Sequence, residues 1–183
     1  MKIYTRKGDT GTTGLLYGGR VAKDSPGISA NGAIDEAQAA LGVVRAEVER
    51  GSELDGVLIA LERDLYVMMA EVATAPANRH KLTPGSTLVT EEMVTQLEVL
   101  IDELTERFPP LTDFVIPGHD RVSALLDVAR TAVRRAEREL TAAAADDSHA
   151  LAYLNRLSDL VWTMARWQEE GDSLLSRRAD PTS

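Results

Sequence analysis

From about residue 31 onward, apolar residues recur every three or four positions, and that rhythm predicts helices. In the first, Ile34, Ala37, Leu41, Val44 and Val48 share a face. Gly51-Ser52 breaks the pattern, and Ser52 is placed to cap a second helix with the stripe Leu54, Leu58, Leu61, Leu65, Met68 and Val72. Pro76 and Pro84-Gly85-Ser86 punctuate a polar loop of the kind that borders a site. Thr90 followed by Glu91 and Glu92 predicts the third helix start, because carboxylates suit the positive end of the helix dipole. Its stripe runs through Val94, Leu97, Leu100 or Ile101, Leu104 and Phe108, and Pro109-Pro110 ends it. Phe114-Val115-Ile116 reads as a short extended piece. Pro117-Gly118 then leads into a fourth helix near residue 120, with Val122, Leu126, Ala129, Val133, Ala136 and Leu140 inward. Asp146-Asp147-Ser148 turns the chain into a fifth, where Leu151, Leu154, Leu157, Val161, Met164 and Gln168 share a face. The last dozen residues read as frayed.

Five long helices on short connections predict an all-α, up-and-down bundle. The expected division is one domain with a glycine-rich loop over 1–30, the bundle over 31–177 and a frayed tail over 178–183. No repeat recurs along the chain, so a solenoid is excluded. A length of 183 residues fits a single core. The apolar content is Ala, Leu and Val with only 4% aromatics, which favours closely packed helices over sheets.

With no cysteine, disulfides and thiolate chemistry are excluded. His80, His119 and His149 show no ligand spacing. The N-terminus carries no apolar stretch like a signal peptide, and no run approaches the ~18 apolar residues of a membrane span, so a cytoplasmic protein with no membrane partner is expected. A net charge of −9 argues against nucleic acid as a partner. Any bound polyanion must therefore meet a local cluster of Arg and Lys.

Two clusters qualify. The first 32 residues crowd Gly8, Gly11, Gly14, Gly18, Gly19, Gly27 and Gly32 among hydroxyls and cations. Such a stretch is either a floppy arm or a backbone that closely approaches a ligand. Within it, Tyr4-Thr5-Arg6-Lys7-Gly8-Asp9-Thr10-Gly11-Thr12-Thr13-Gly14 has the free N–H groups, hydroxyls and cations of a triphosphate cradle, without the Walker pattern. The second cluster is on helix four, where Asp127, Arg130, Arg134 and Glu137 follow one another at helical steps, Arg138 continues the ridge and Arg135 points off it. A charged face is usually only solvated, but arginine's planar fork also grips phosphate oxygens. Helix five places Asn155 and Asp159 one turn apart at the edge of the core, and helix one offers Asp35 and Gln38 opposite its apolar stripe. No Ser–His–Asp set or paired-carboxylate site is visible, so a nucleophile would have to come from a cofactor or substrate.

Three blocks together resemble the PduO-type ATP:cob(I)alamin adenosyltransferases. They are Tyr4 to Thr13 with Arg20 and Lys23-Asp24; Phe114-Val115-Ile116-Pro117-Gly118 with Ala129-Arg130 and Arg134-Arg135-Ala136-Glu137-Arg138; and Tyr153-Leu154-Asn155-Arg156-Leu157-Ser158-Asp159. Asp35-Glu36 matches the acidic pair of the first bundle helix. The resemblance implies a five-helix, ferritin-like bundle that forms homotrimers, with ATP and corrinoid bound between subunits. It implies transfer of the 5′-deoxyadenosyl group of ATP to Co(I) of a reduced corrinoid, the cob(I)yrinic acid a,c-diamide adenosyltransferase reaction, with release of triphosphate.

By the same resemblance, Thr5, Arg6, Lys7, Gly8, Thr13, Gly14 and Lys23 wrap the triphosphate. Arg134, Arg135, Glu137, Arg138 and Asn155 complete the nucleotide site. Mg²⁺ rides on the phosphates, with no direct protein ligand assigned. Arg130 pairs with Asp35 across the subunit boundary, and these two form the catalytic set with Arg134. Phe114 lies against the corrin and helps exclude the lower axial ligand. A reductase supplying Co(I), or an enzyme that uses adenosylcobalamin, is the expected protein partner.

Three positions depart from the usual pattern: Gln38 replaces asparagine, His119 a second glycine, and Asp127 a histidine one turn from Arg130. They touch the corrinoid side more than the ATP side. A non-catalytic relative that carries or senses adenosylcobalamin is therefore the alternative. A plain helical interaction module has no need of both the glycine-rich loop and the arginine row.

Overall fold

Three helix starts in this chain are set by side chains that satisfy the otherwise orphaned backbone N–H groups. The computed structural model describes residues 3–177. Ser52 accepts from Asp55 N at 3.2 Å to start α2 (Glu53–Val72), and Thr90 accepts from Met93 N at 3.3 Å to start α3 (Glu91–Thr105). Asp120 accepts from Val122 N and Ser123 N while the Ser123 hydroxyl accepts from Asp120 N, a reciprocal cap that opens α4 (Arg121–Leu140). The last long helix, α5, is Ala150–Gln168. α1 (Pro26–Glu47) starts ahead of the residue-31 beginning that its stripe predicts. Pro26 costs nothing in the first turn, where its missing N–H would have had no partner, and fully buried Ala30 extends the apolar face backwards.

The architecture is mostly helical, with a 3₁₀ segment at Pro76–Lys81 and a small two-stranded sheet. α1 packs on α4 and α2, α4 on α5, and α5 on α3. The core is built from the predicted stripes, with Ile34, Leu41, Leu58, Leu65, Met68, Leu104, Leu126, Leu154 and Leu157 all sealed from solvent. α5 lies between α4 and α3, so it is buried on more than its predicted face: Tyr153, Leu160, Ala165 and Arg166 are inside as well. Phe108 falls beyond the end of α3 and meets Trp162 edge-on at 6.5 Å instead of continuing the stripe. Gln38 corrects the sequence reading. It is buried in the α1–α2 seam, where its Nε2 donates to Glu62 O at 3.0 Å, while Asp35 is exposed.

The glycine-rich segment is folded. β1 (Thr12–Gly14) and β2 (Arg20–Ala22) pair antiparallel with Thr13 opposite Val21. Gly18 and Gly19, both near φ +98° and +97°, make the reversal that a side chain would strain. Leu16 N donates to Ala73 O at 2.8 Å, and Asn78 Nδ2 to Tyr17 O, which dock the hairpin on the end of α2 and the 3₁₀ segment. At the other end, residues 172–177 are not frayed: Val115 and Leu175 pair in an antiparallel bridge. The expected tail at 178–183 lies outside the described residues.

α5 also reaches α2 through a polar contact. The Tyr153 hydroxyl donates to Asp64 Oδ2 at 2.8 Å. Burial raises the Asp64 carboxyl above its ordinary range, partly opposed by that bond, and burial with the Asp64 charge raises the Tyr153 hydroxyl well above its own. Tyr153→Phe is expected to destabilise the fold by about 1–3 kcal/mol in urea denaturation and to raise the Asp64 pKa further. A carboxyl raised in the folded state holds its proton more tightly there than in the unfolded chain. The deficit of the variant should therefore shrink as pH falls through the Asp64 folded value. An NMR titration of Asp64 that moves the other way would contradict this account.

Candidate active site

Arg20, though exposed, organises the loop. Its Nη2 donates to Lys7 O at 2.6 Å and to Thr12 Oγ1 at 2.8 Å, and Nε reaches the same hydroxyl at 3.2 Å. With the loop folded onto β2, Lys23 lies against Gly8. A Cβ at Gly8 would stand 3.2 Å from Lys23 Nζ and 3.3 Å from Thr12 O, so glycine is what lets ammonium and backbone approach there. The Thr5 hydroxyl accepts from Lys7 N at 3.4 Å. Arg6, at φ +61°, lies over the Tyr4 ring at 5.5 Å, and Thr13 and Gly14 form β1. Thr5, Arg6, Lys7 and Lys23 are thus exposed side chains on one small folded platform.

The α4 cations form a separate wall. Arg134, Arg135 and Arg138 are exposed, and Glu137 is half-buried. Arg135 is paired with Glu36 of α1, and Arg138 Nη1 donates to Arg134 O at 3.0 Å. Asn155 Nδ2 donates to Glu137 Oε1 at 3.0 Å, and Asn155 Oδ1 accepts from Arg156 Nη1 at 3.0 Å. The Glu137–Asn155 pair therefore fixes two polar groups beside the arginines. Among the described residues, Arg134 has no ion-pair partner, whereas Arg135 and Arg130 do.

A groove of about 700 Å³ opens at the other end of α4, lined by Phe114, Val115, Asp127, Arg130, Trp162 and Arg166. Phe114 is 83% exposed at its rim. Arg130 Nε lies 3.4 Å from Asp127 Oδ1, but the shorter bond of Asp127 is from Arg166 Nη2 at 2.7 Å. Asp127 is held mainly by Arg166 and competes only weakly for Arg130. Arg166 also donates to Glu169 at 2.9 Å, and all three are buried. This charge network was not legible in sequence, because nothing in the α5 pattern says that the helix is enclosed on the side of Arg166.

Among the described residues, no hydrogen bond or ion pair joins the loop at 5–23 to Arg134, Arg135, Glu137, Arg138 or Asn155, and none joins Asp35 to Arg130. No group of three or more His, Asp or Glu among the described residues could hold a metal ion, and no described helix is long and apolar enough to cross a membrane.

A cation-bearing loop platform, an arginine wall and an aromatic-rimmed groove thus sit on a mostly helical frame. Residues 3–168 match the pattern of the cobalamin adenosyltransferases, and the chain belongs to that family. It is 42% identical over 171 residues to a corrinoid adenosyltransferase of Citrobacter freundii, covering 92% of this chain and 95% of the relative. It is 38% identical over 190 residues to one of Mycobacterium tuberculosis, covering 100% and 96%. Its structure is similar to a variant PduO-type ATP:corrinoid adenosyltransferase from Lactobacillus reuteri complexed with cobalamin and ATP, with TM-score 0.84, 28% identity and coverage of 97% and 100%. It is also similar to another variant of that protein complexed with ATP, with TM-score 0.83, 27% identity and coverage of 96% and 100%.

Proposed function

We propose that this chain transfers the 5′-deoxyadenosyl group of ATP to the Co(I) of a reduced corrinoid and releases triphosphate. The observation that carries the reading is the α4 wall: exposed arginines beside a fixed Glu137–Asn155 pair, in a chain whose net charge is −9. Cobalt supplies the electron pair that forms the Co–C5′ bond, and the C5′–O bond breaks with its pair leaving on triphosphate. Protein groups then need only align the reactants and neutralise the leaving group, which accounts for a site without a general base. Thr5, Arg6, Lys7, Gly8, Thr13, Gly14 and Lys23 would hold the triphosphate from the loop platform, and Arg134, Arg135, Glu137, Arg138 and Asn155 would receive the nucleotide from the bundle. Mg²⁺ would be held by phosphate oxygens and water.

No hydrogen bond or ion pair joins the two half-sites among the described residues, which fits a homotrimer of five-helix, up-and-down bundles with sites between subunits. Arg130 keeps its Nη groups for an Asp35 supplied by a neighbouring subunit. Phe114 would press on the corrin and exclude the lower ligand, so that cobalt becomes four-coordinate and easier to reduce. Whether the substrate is cobyrinic acid a,c-diamide or complete cobalamin is a question for the assay, as is the reductase partner. A cytoplasmic location suits a reaction that consumes ATP and Co(I).

Purified protein incubated anaerobically with Mg-ATP and chemically reduced cobalamin should lose the Co(I) absorbance only when ATP is present and should yield adenosylcobalamin. ATP binding with a persistent Co(I) spectrum would replace this reading with that of a carrier or sensor. Phe114→Ala is expected to slow turnover that starts from Co(II) corrinoid by about tenfold or more, because the lower ligand stays on cobalt, with ATP affinity unchanged in calorimetry.

A further inference from the structure

The Phe114 wall stands on buried charges that the proposed chemistry does not use. Arg166 is 1% exposed, and its Nη2 joins Asp127 Oδ2 on α4 to Glu169 Oε1 at the end of α5. The second Glu169 oxygen accepts from the Ser173 hydroxyl. Between them the chain reverses through Glu170 at φ +50° and Gly171 at φ +93°, where a Cβ would stand 3.1 Å from the Pro109 ring. Past Ser173 it runs antiparallel to the Phe114 segment. Ile116 N donates to Leu174 O and Ser176 N to Phe114 O, both at 2.7 Å. Ser176 Oγ donates to Asp113 Oδ1 at 3.1 Å, and Arg177 Nε lies 3.1 Å from Asp113 Oδ2. The Phe114 ring is exposed, so its place is set by these backbone bonds and not by packing around the ring.

We propose that Asp127, Arg166, Glu169 and Ser173 are positioning residues for the corrinoid half of the site: they anchor segment 172–177 as a strap that sets where Phe114 stands. The proposal rests on the adenosyltransferase reading. Bonds between buried ionised groups are short and directional, so the network has one geometry and passes it on. Two arginines, Arg130 and Arg166, face two carboxylates, Asp127 and Glu169, which leaves the cluster with no net charge. No hydrogen bond or ion pair joins the ATP half to the strap among the described residues, so a disturbed strap should affect the two substrates unequally.

The test is Ser173→Ala in the full chain, with Ser173→Thr as the variant that keeps the hydroxyl. Loss of one hydrogen bond to a charged group is expected to raise the corrinoid KM about tenfold, with the ATP KM within about twofold of wild type. Hydrogen exchange at the Ile116 amide should speed up. With Co(II) corrinoid and ATP, electron paramagnetic resonance should show less of the four-coordinate species. Ser173→Thr should restore all three. Faster exchange with an unchanged corrinoid KM and spectrum would overturn the proposal, as would unchanged exchange or an equal rise in both KM values. Wild-type protein that neither turns over nor strips the lower ligand would defeat the enzyme reading itself, whereas a variant-only pattern decides the strap.

Discussion

Arg134→Ala is expected to lower kcat/KM for ATP by roughly 10²- to 10³-fold, the loss found when one preorganised donor to developing charge is removed. In the attack of Co(I) on C5′, negative charge builds on the triphosphate oxygen as the bond to carbon breaks. A guanidinium aimed there stabilises the transition state more than bound ATP, so kcat should fall and not KM alone. Arg134 is suited to this because it is exposed and, among the described residues, has no carboxylate partner. Arg135 is already paired with Glu36, and Arg135→Ala should cost less than Arg134→Ala. Little stability depends on the Arg134 side chain, so the melting temperature should stay within a few degrees. Steady-state kinetics on both variants decide the matter: equal losses, or a loss in KM alone, would remove Arg134 from the leaving-group role.

Asp127→Ala is expected to destabilise the fold by about 3–5 kcal/mol, because it strands the Arg166 guanidinium in the interior. For a chain of this length the melting temperature should drop by on the order of 10 °C. Glu169 remains on Nη2, and Trp162 lies under the guanidinium at 5.7 Å, but Arg166 Nε is already buried without a hydrogen-bond partner. Removing the cation together with its other buried partner, Glu169, should undo most of the damage. Asp127→Ala combined with Arg166→Met and Glu169→Leu should recover a large part of the lost stability, since an apolar replacement of a whole buried ion cluster is often close to neutral. Urea midpoints on the single and triple variants give the coupling directly. A single-variant cost below about 1 kcal/mol would show that the pair is solvated in solution.

The helices were legible because their signals are local. Ser52 and Thr90 cap the helices their positions predict, and the stripes of Leu58, Leu65, Leu126 and Leu157 face inward as their spacing requires. One boundary differed because the apolar stripe begins late: α1 starts at Pro26, ahead of the residue-31 start that the stripe predicts. Gln38, which reads as lying opposite the apolar stripe of α1, instead sits in the seam, where a carbonyl on α2 accepts its amide. The candidate site was readable in part for a similar reason. An arginine row at helical spacing is visible in one dimension, and so is a run of glycines, threonines and cations.

What the sequence determined by itself, then, is whatever depends on neighbours within a turn or two: five helices, their inward faces, the α4 cation ridge and the composition of the N-terminal loop. Only the tertiary structure decided which charges are spent. It assigned Arg20 to the loop's own carbonyls, Arg135 to Glu36 and Asp127 to Arg166, and it left Arg134 available. It also drew segment 172–177 from an expected fray into a strap beside Phe114. Those outcomes turn on distances between residues far apart in the chain and on the desolvation that decides which ion pairs form. Neither is encoded in periodicity.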